Sequence, residues 1–216
     1  MATSPDPSLS SGPRALTLIL GEEHELIGRV LTPLARLGEQ VASGASYDPR
    51  QAREFLRFLN EFCDLRHHEK EEGLLFPWLE ARGLPRASGP LGVLGQEHEV
   101  SRDLRLELSL IADELLVAPR AVAPRRRFRE LVLRYVELLT AHIEKEEQVL
   151  FPLADRFAVQ TGAELLAEDG PSARDHAWVE RLESMAATWP DAKLSFLGLG
   201  TPYGFERLCE AALSSP

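Results

Sequence analysis

Apolar residues recur at helical spacing along most of the chain, and the pattern begins at Ala15. It predicts four long amphipathic helices, each with one inward stripe. The first helix ends before a turn marked by Gly44. The next three run roughly over residues 49–82, 91–117 and 125–158. Four long helices joined by short connections are typical of an all-α, up-down-up-down four-helix bundle.

The segments outside these helices divide the chain into three parts. Residues 1–14 are rich in serine and proline and predict a disordered tail, and residues 15–158 form the bundle. Residues 159–216 form a C-terminal helical extension, with a short turn at 165–168 and an amphipathic helix over 173–189. We expect this extension to pack on the bundle or on a partner, and a homodimer formed through it is one such arrangement.

The chain contains an internal repeat, and its two copies are separated by about half the number of residues in the bundle. Residues 67–77 read HHEKEEGLLFP and residues 142–152 read HIEKEEQVLFP, an offset of 142 − 67 = 75. Upstream, LGEEHEL at 20–26 matches LGQEHEV at 94–100, an offset of 94 − 20 = 74. Each half of the bundle is therefore one helical hairpin that carries the same two motifs.

The repeated motifs place histidines and glutamates on the inward stripes. Residues four apart on a helix share a face, so each His-x-x-x-Glu directs two metal-binding groups the same way. A single such pair is usually a surface ion pair, but burying ionised groups among leucines costs several kcal/mol each unless something compensates. A pair of metal ions supplies that compensation. The predicted ligands are His24, His67, Glu71, His98, His142 and Glu146.

Four further residues could belong to the site or support it. His68 is rotated about 100° from its neighbour on an ideal helix, and its repeat partner is Ile143. We treat it as a candidate additional ligand and otherwise expect it to be exposed or to orient a ligand. His176 is expected to be a capping or surface histidine. Glu23 and Glu97 are expected to be exposed or to orient the imidazoles.

The ligand types indicate which metal the site would bind. No His-Glu-x-x-His sequence occurs, which argues against a zinc protease. The Glu-x-x-His pattern of ferritin-like bundles also fails, because Leu139 lies three residues before His142. Nitrogen-rich ligation with carboxylates suits iron better than magnesium or calcium, while zinc and manganese remain alternative occupants.

Composition and charge exclude several classes of function. The net charge of −10 disfavours nucleic acid and anionic membranes as partners. The two cysteines do not form a disulfide framework. No stretch is apolar enough to span a membrane, and the first residues do not resemble a signal peptide. We therefore expect a cytoplasmic protein.

The combination of EEHEL, HHEKEEGLLFP, QEHEV and HIEKEEQVLFP resembles the hemerythrin superfamily, in particular bacterial proteins with the hemerythrin HHE cation-binding domain. The resemblance covers about residues 16–158. It implies a bundle that holds a non-haem di-iron centre, with an oxo or hydroxo group between the irons. By this resemblance, His24 and His67 would bind one iron and His98 and His142 the other, with Glu71 and Glu146 bridging. His68 occupies a place where some relatives supply an extra ligand.

One position departs from the pattern of oxygen-carrying hemerythrins, which have a histidine four residues after that of the third helix. Here that residue is Arg102. The resemblance therefore does not extend to reversible oxygen carriage. Three functions remain open: binding or sensing of O2, NO or peroxide; a di-iron peroxidase, oxidase or stress-repair enzyme; and an iron buffer or metal-stabilised scaffold.

Overall fold

The computed structural model describes residues 14–189, and they form a bundle of four long helices with a fifth helix on its side. Bundle helix 1 runs over Leu16–Ala42, and bundle helix 3 over Gly89–Val117. Bundle helices 2 and 4 are each built from consecutive α- and π-helical segments, over 49–80 and 122–161. The all-α bundle predicted from the periodicity is thereby confirmed, while predictions for residues 1–13 and 190–216 lie outside the described residues.

Bundle helix 2 changes its hydrogen-bonding pattern where it reaches the repeated motif. It begins as an α-helix at Pro49–Phe58, which Asp48 caps in a capping box. It then becomes π-helical over Leu59–His68 and again over Glu71–Leu75, before an α-helical end at Phe76–Glu80. Hydrogen bonds in a π-helix span five residues instead of four, and such turns are frequent at functional sites.

Bundle helix 4 repeats only part of this pattern. It is α-helical over Val122–Lys145, π-helical over Glu146–Leu150 and α-helical over Phe151–Thr161. The short π-helical segment thus occurs in both halves of the repeat. The longer one, Leu59–His68, corresponds to residues 134–143, which are regular α-helix. The two hairpins are therefore alike at their glutamates but different one turn earlier.

Two apolar clusters lie on either side of the repeated motifs. The larger one draws on all four bundle helices and includes the fully buried rings of Phe55, Phe58, Phe128 and Tyr135. The smaller one fills the other end of the bundle, around Phe76 and the leucines that follow the motifs. The polar motif residues are consequently held in a layer between two well-packed cores, where rotamers are restricted.

The chain on either side of the bundle pairs as a short antiparallel ribbon. Strand β1, Arg14–Ala15, pairs with strand β2, Leu166–Ala167, so that Arg14 lies opposite Ala167. The turn expected at 165–168 is therefore wrong, because β2 finds its partner in a segment far away in sequence. Arg14, assigned to a disordered tail, is likewise part of β1, and its guanidinium pairs with Glu22.

The C-terminal helix runs over Ala173–Ala186 and packs on bundle helices 1 and 2. Its first turn is closed by a capping box between Ser172 and Asp175. Val179 and Leu182 are buried in the larger apolar cluster. Among the residues that the structure describes, no helix has the length and apolar character needed to cross a bilayer.

Candidate metal centre

The six predicted ligands meet in one buried layer of the bundle. The four repeat histidines are at most 2% exposed, and both glutamates are fully buried. Each helix contributes one of these histidines, and helices 2 and 4 add the glutamates one turn later. Because the motifs lie on the inward stripes, folding the bundle brings all six side chains together.

The carboxylate of Glu146 lies between two imidazoles from different helices. Its Oε2 is 3.2 Å from Nε2 of His24 and 3.3 Å from Nε2 of His142. Glu71 occupies the equivalent place in the other hairpin: its Oε1 is 3.4 Å from Nε2 of His67, and its Oε2 is 3.3 Å from Nε2 of His98. Each carboxylate thus reaches one histidine of either hairpin, as a bridging ligand must.

The Nδ1 atom of every repeat histidine contacts a further carboxylate. A carboxylate that accepts a hydrogen bond from Nδ1–H fixes the tautomer, so that the unprotonated Nε2 points into the centre. The four pairs are His24–Glu147 at 3.3 Å, His67–Glu23 at 3.1 Å, His98–Glu72 at 2.7 Å and His142–Glu97 at 2.9 Å. Glu23 and Glu97 thus make the contacts that their predicted orienting role requires, and Glu72 and Glu147 make equivalent contacts that were not predicted.

The two hairpins interlock through these outer contacts. His24, in the first hairpin, contacts Glu147 and stacks on the ring of Phe151, and both partners belong to the second hairpin. In the repeat-related arrangement, His98 stacks on Phe76 of the first hairpin, and the ring centroids are 5.6 Å apart. The orientation of these two imidazoles therefore depends on docking of the two hairpins against each other.

His68 departs from the sequence prediction. It is 1% exposed and stacks on His98 with ring centroids 4.0 Å apart, so the expectation that it could be exposed is wrong. The prediction assumed α-helical spacing, whereas the chain is π-helical over Leu59–His68. In that geometry residues five apart share a face, and His68 accordingly contacts Cys63, with Nε2 and Sγ 3.6 Å apart. The wider turn allows both adjacent histidines to enter the core.

His68 lies beside polar groups that have no polar counterpart at the repeat-related positions. Its Nδ1 is 3.3 Å from Oδ1 of Asp64, and the other oxygen of Asp64 pairs with Arg105. The repeat partners of these three residues are apolar, namely Ile143, Leu139 and Leu31. The first hairpin therefore carries an additional buried polar group beside the second pair of histidines.

Arg102 and His176 lie at the edge of this region and outside it, respectively. Arg102 donates to Glu72, the carboxylate that orients His98, over 2.9 Å. The arginine thus contacts the site indirectly, from the position where a fifth histidine would stand. His176 is exposed at the start of the C-terminal helix, with its Nδ1 2.9 Å from the carbonyl oxygen of Ser172. That surface position agrees with the sequence prediction.

Burial and neighbouring carboxylates act in opposite directions on the pKa of the histidines, and the balance differs from one histidine to another. Burial disfavours the charged form of His24 and His142, but the nearby carboxylates of Glu146 and of their orienting residues outweigh it, raising the pKa to about 9 for His24 and about 10 for His142. Burial dominates for His68, whose pKa falls to about 3. Around Glu146 the two protonated imidazoles outweigh its burial and lower its pKa well below the usual range. The raised pKa values of His24 and His142 thus place positively charged imidazoles beside the carboxylate of Glu146.

Unpartnered polar atoms provide a direct test of whether a metal fits. Among the described residues, Nε2 of His24 and both carboxylate oxygens of Glu71 and Glu146 are buried without a hydrogen-bond partner. Buried polar atoms normally have one, and leaving them unpaired costs free energy. Two of the possible metal-binding groups among the described residues contain the predicted ligands, and within each the ligand atoms lie within 4.8 Å of one another: His24, His67, Glu71 and Glu146; and His68, Glu71, His98 and His142. The donor set fits two adjacent cations that share a carboxylate.

Comparisons with known proteins agree with this donor set. The family model described as hemerythrin HHE cation binding domain matches residues 16–154. A protein from Edwardsiella ictaluri named iron-sulfur cluster repair protein YtfE is 29% identical over 124 residues, which cover 57% of this chain and 56% of that protein. The protein of the same name from Salmonella paratyphi B is 28% identical over 116 residues, or 54% and 52% of the two chains. The chain spans about half the length of these curated relatives. No solved structure gave a significant match.

Proposed function

The chain belongs to the hemerythrin HHE cation-binding domain family, and we propose that it is a non-haem di-iron protein that binds or senses a small oxidant such as O2, NO or peroxide. The observation that supports the proposal is the convergence of six buried nitrogen and oxygen ligands, among which Nε2 of His24 and both oxygens of Glu71 and Glu146 have no hydrogen-bond partner. Each of the two ligand groups could accept one iron ion, so the site as a whole would hold a pair of ions.

The ligands divide between two half-sites in this proposal. The first half-site consists of His24 and His67, and the second of His68, His98 and His142. Glu71 and Glu146 would bridge them, because each lies within 3.5 Å of a histidine in both half-sites. His68 thus takes the place of the histidine that Arg102 replaces, so the second half-site would keep three nitrogen ligands. Zinc or manganese could occupy the same ligands in place of iron.

The residues around the ligands would control what the centre can do. Iron in such a site supplies a coordination position and electrons for a small oxidant. The orienting carboxylates hold the four repeat imidazoles in one tautomer, and the two apolar clusters keep bulk water out of the layer. Only a small ligand can enter so tightly packed an interior. The chain's own contribution is therefore orientation, exclusion of water and selection by size.

The test is the metal content and visible spectrum of protein purified in air, compared with the double variant His67→Ala/His142→Ala. His176→Ala serves as the matched control, because it removes an exposed histidine that contacts the carbonyl oxygen of Ser172 and not a ligand. We expect about two irons per chain and charge-transfer bands, absent from the double variant and retained in the control. A colourless protein after anaerobic iron loading and exposure to air, or one that binds only zinc, would exclude the proposal.

A second function is favoured by the relatives named for iron–sulfur cluster repair. Under this alternative the centre would release iron to a damaged cluster rather than report an oxidant. It predicts that iron-loaded protein restores an iron–sulfur protein from which iron has been removed, faster than free ferrous ion at the same concentration. The sensing function predicts a reversible spectral change with no such transfer.

A further inference from the structure

Glu23 connects the first half-site to charged residues outside it. Its carboxylate is fully buried, and one oxygen lies 3.1 Å from Nδ1 of His67. The other oxygen accepts from the ammonium of Lys70 and lies 3.5 Å from Nε of Arg66. Two cations from the same helix as His67 therefore hold the carboxylate that orients this imidazole.

Both cations are also bound by the segment that leads into the C-terminal helix. Lys70 donates to the carbonyl oxygen of Asp169 over 2.7 Å, and Arg66 donates to that of Gly170 over 2.6 Å. Arg66 further donates to the carboxylate of Asp175 over 2.7 Å. We call residues 166–175 the strap, since the chain there runs from β2 across this edge of the site to the first turn of the C-terminal helix.

The second half-site has the same inner contacts, but no segment among residues 14–189 crosses it as the strap crosses the first. Lys145 donates to Glu97, which in turn orients His142, in the same way that Lys70 holds Glu23. The residue that corresponds to Arg66 is Ala141. Within residues 14–189, no carbonyl of a neighbouring segment accepts from Lys145. In the part of the chain that the structure describes, contacts from outside the bundle therefore reach the orienting carboxylate of the first half-site and not that of the second.

We propose that Arg66 and Asp175 are positioning residues that couple the first half-site to the strap and the C-terminal helix. The inference rests on the proposed metal centre and adds that metal binding there changes how firmly the strap and the C-terminal helix are held. When the strap is docked, Glu23 is fixed, and His67 is held in the orientation that binds metal. Coupling of this kind is reciprocal, so metal in the first half-site must stabilise the docked strap by the same factor.

The chain offers a matched control for this coupling. Arg29 of bundle helix 1 donates to Glu183 of the C-terminal helix over 2.7 Å. This ion pair joins the same helix to the bundle but has no contact with Glu23. Glu183→Gln therefore loosens the helix without touching the strap, whereas Asp175→Asn and Arg66→Gln break the link between strap and half-site.

The experiment is a titration of metal-free protein with Co²⁺ in the absence of air, followed by visible absorption, with hydrogen exchange of residues 166–186 before and after loading. We expect two binding steps. Asp175→Asn and Arg66→Gln should each lower the affinity of one step by roughly 10–100-fold, which is typical when a residue that orients a ligand histidine is changed. Loading should slow exchange of the strap in the unmodified protein, and Glu183→Gln should leave both binding steps unchanged.

The outcomes separate this inference from the function on which it rests. If Co²⁺ binds in two steps, but both variants keep both affinities, or if exchange over 166–186 is the same with and without metal, the coupling is wrong and the metal centre stands. If the unmodified protein does not bind Co²⁺, the metal centre itself is wrong. Circular dichroism of each variant establishes that the bundle is folded before its affinity is read.

Discussion

The Nε2 of His24 lies 3.2 Å from the carboxylate of Glu146, and this contact joins the first bundle helix to the last. The same oxygen of Glu146 faces His142, so one carboxylate serves histidines that come from both halves of the repeat. The neighbouring residue, Glu147, contacts His24 from the other side of its ring, through Nδ1. Two adjacent glutamates therefore have different roles, and the difference is open to experiment.

We expect Glu146→Gln to abolish binding of both metal ions, because a carboxamide cannot bridge two cations. Glu147→Gln should leave two ions bound, with an affinity roughly 10–100-fold lower, since it removes only a partner of His24. Metal analysis after dialysis against a weak chelator distinguishes the two variants. Equal metal content in both would contradict the bridging role of Glu146.

His68 should behave as a ligand and not as a buried neutral side chain. Replacing it with alanine removes one of the three nitrogens proposed for the second half-site, and we expect one of the two bound metals to be held at least roughly tenfold more weakly, with altered charge-transfer bands. His176→Ala, at the surface, is the control. An unchanged spectrum and affinity in His68→Ala would show that the histidine only fills space beside His98.

Metal binding should be strongly pH-dependent. The pKa values of about 9 for His24 and about 10 for His142 mean that both rings are protonated on both nitrogens, and thus positively charged, at neutral pH in the metal-free protein. A metal must displace these protons, so the affinity should rise with pH and protons should be released on binding. Calorimetry in buffers of different ionisation enthalpy counts them. An affinity that is constant between about pH 6 and about pH 8.5 would contradict the prediction.

The fold should persist when the metal is removed, because the larger apolar cluster lies outside the ligand layer. In metal-free protein, Phe128→Ala should lower the free energy of unfolding by about 3–5 kcal/mol, the usual cost of a cavity at a buried ring. Leu110→Ala, at a residue that is 67% exposed, should change it by less than about 0.5 kcal/mol. Chemical denaturation in the presence of a chelator measures both. Loss of helical signal on chelation alone would show that the metal is needed for folding.

The sequence predicted the residues that the repeat marks twice. His24 and His98, or Glu71 and Glu146, share a motif and an inward position, so periodicity and repetition together identified them. The bundle and its helix ends followed from the same periodicity, and the boundaries of the first, third and fourth helices agree with the structure to within a few residues.

The features that were missed depend on contacts that neither periodicity nor the repeat encodes. The π-helical segment that turns His68 inward cannot be read from an α-helical period of 3.6 residues. A signal for it was present, because Asp64 and Arg105 are charged residues whose repeat partners, Leu139 and Leu31, are apolar. The strand pairing of Arg14 with Ala167 and the contact of Arg66 with Asp175 link residues distant in sequence, and only the folded chain brings them together.

The interlocking of the two hairpins has an evolutionary consequence. Because each half supplies the orienting carboxylate and the stacked ring for a histidine of the other, one hairpin paired with an identical copy of itself would already present a complete symmetric set of ligands. In such a dimer every substitution would appear twice. Only after the two copies had become one chain could His68 be opposed by Ile143, or Arg66 by Ala141. A single chain that contains both hairpins therefore allows the two halves of the site to carry different side chains.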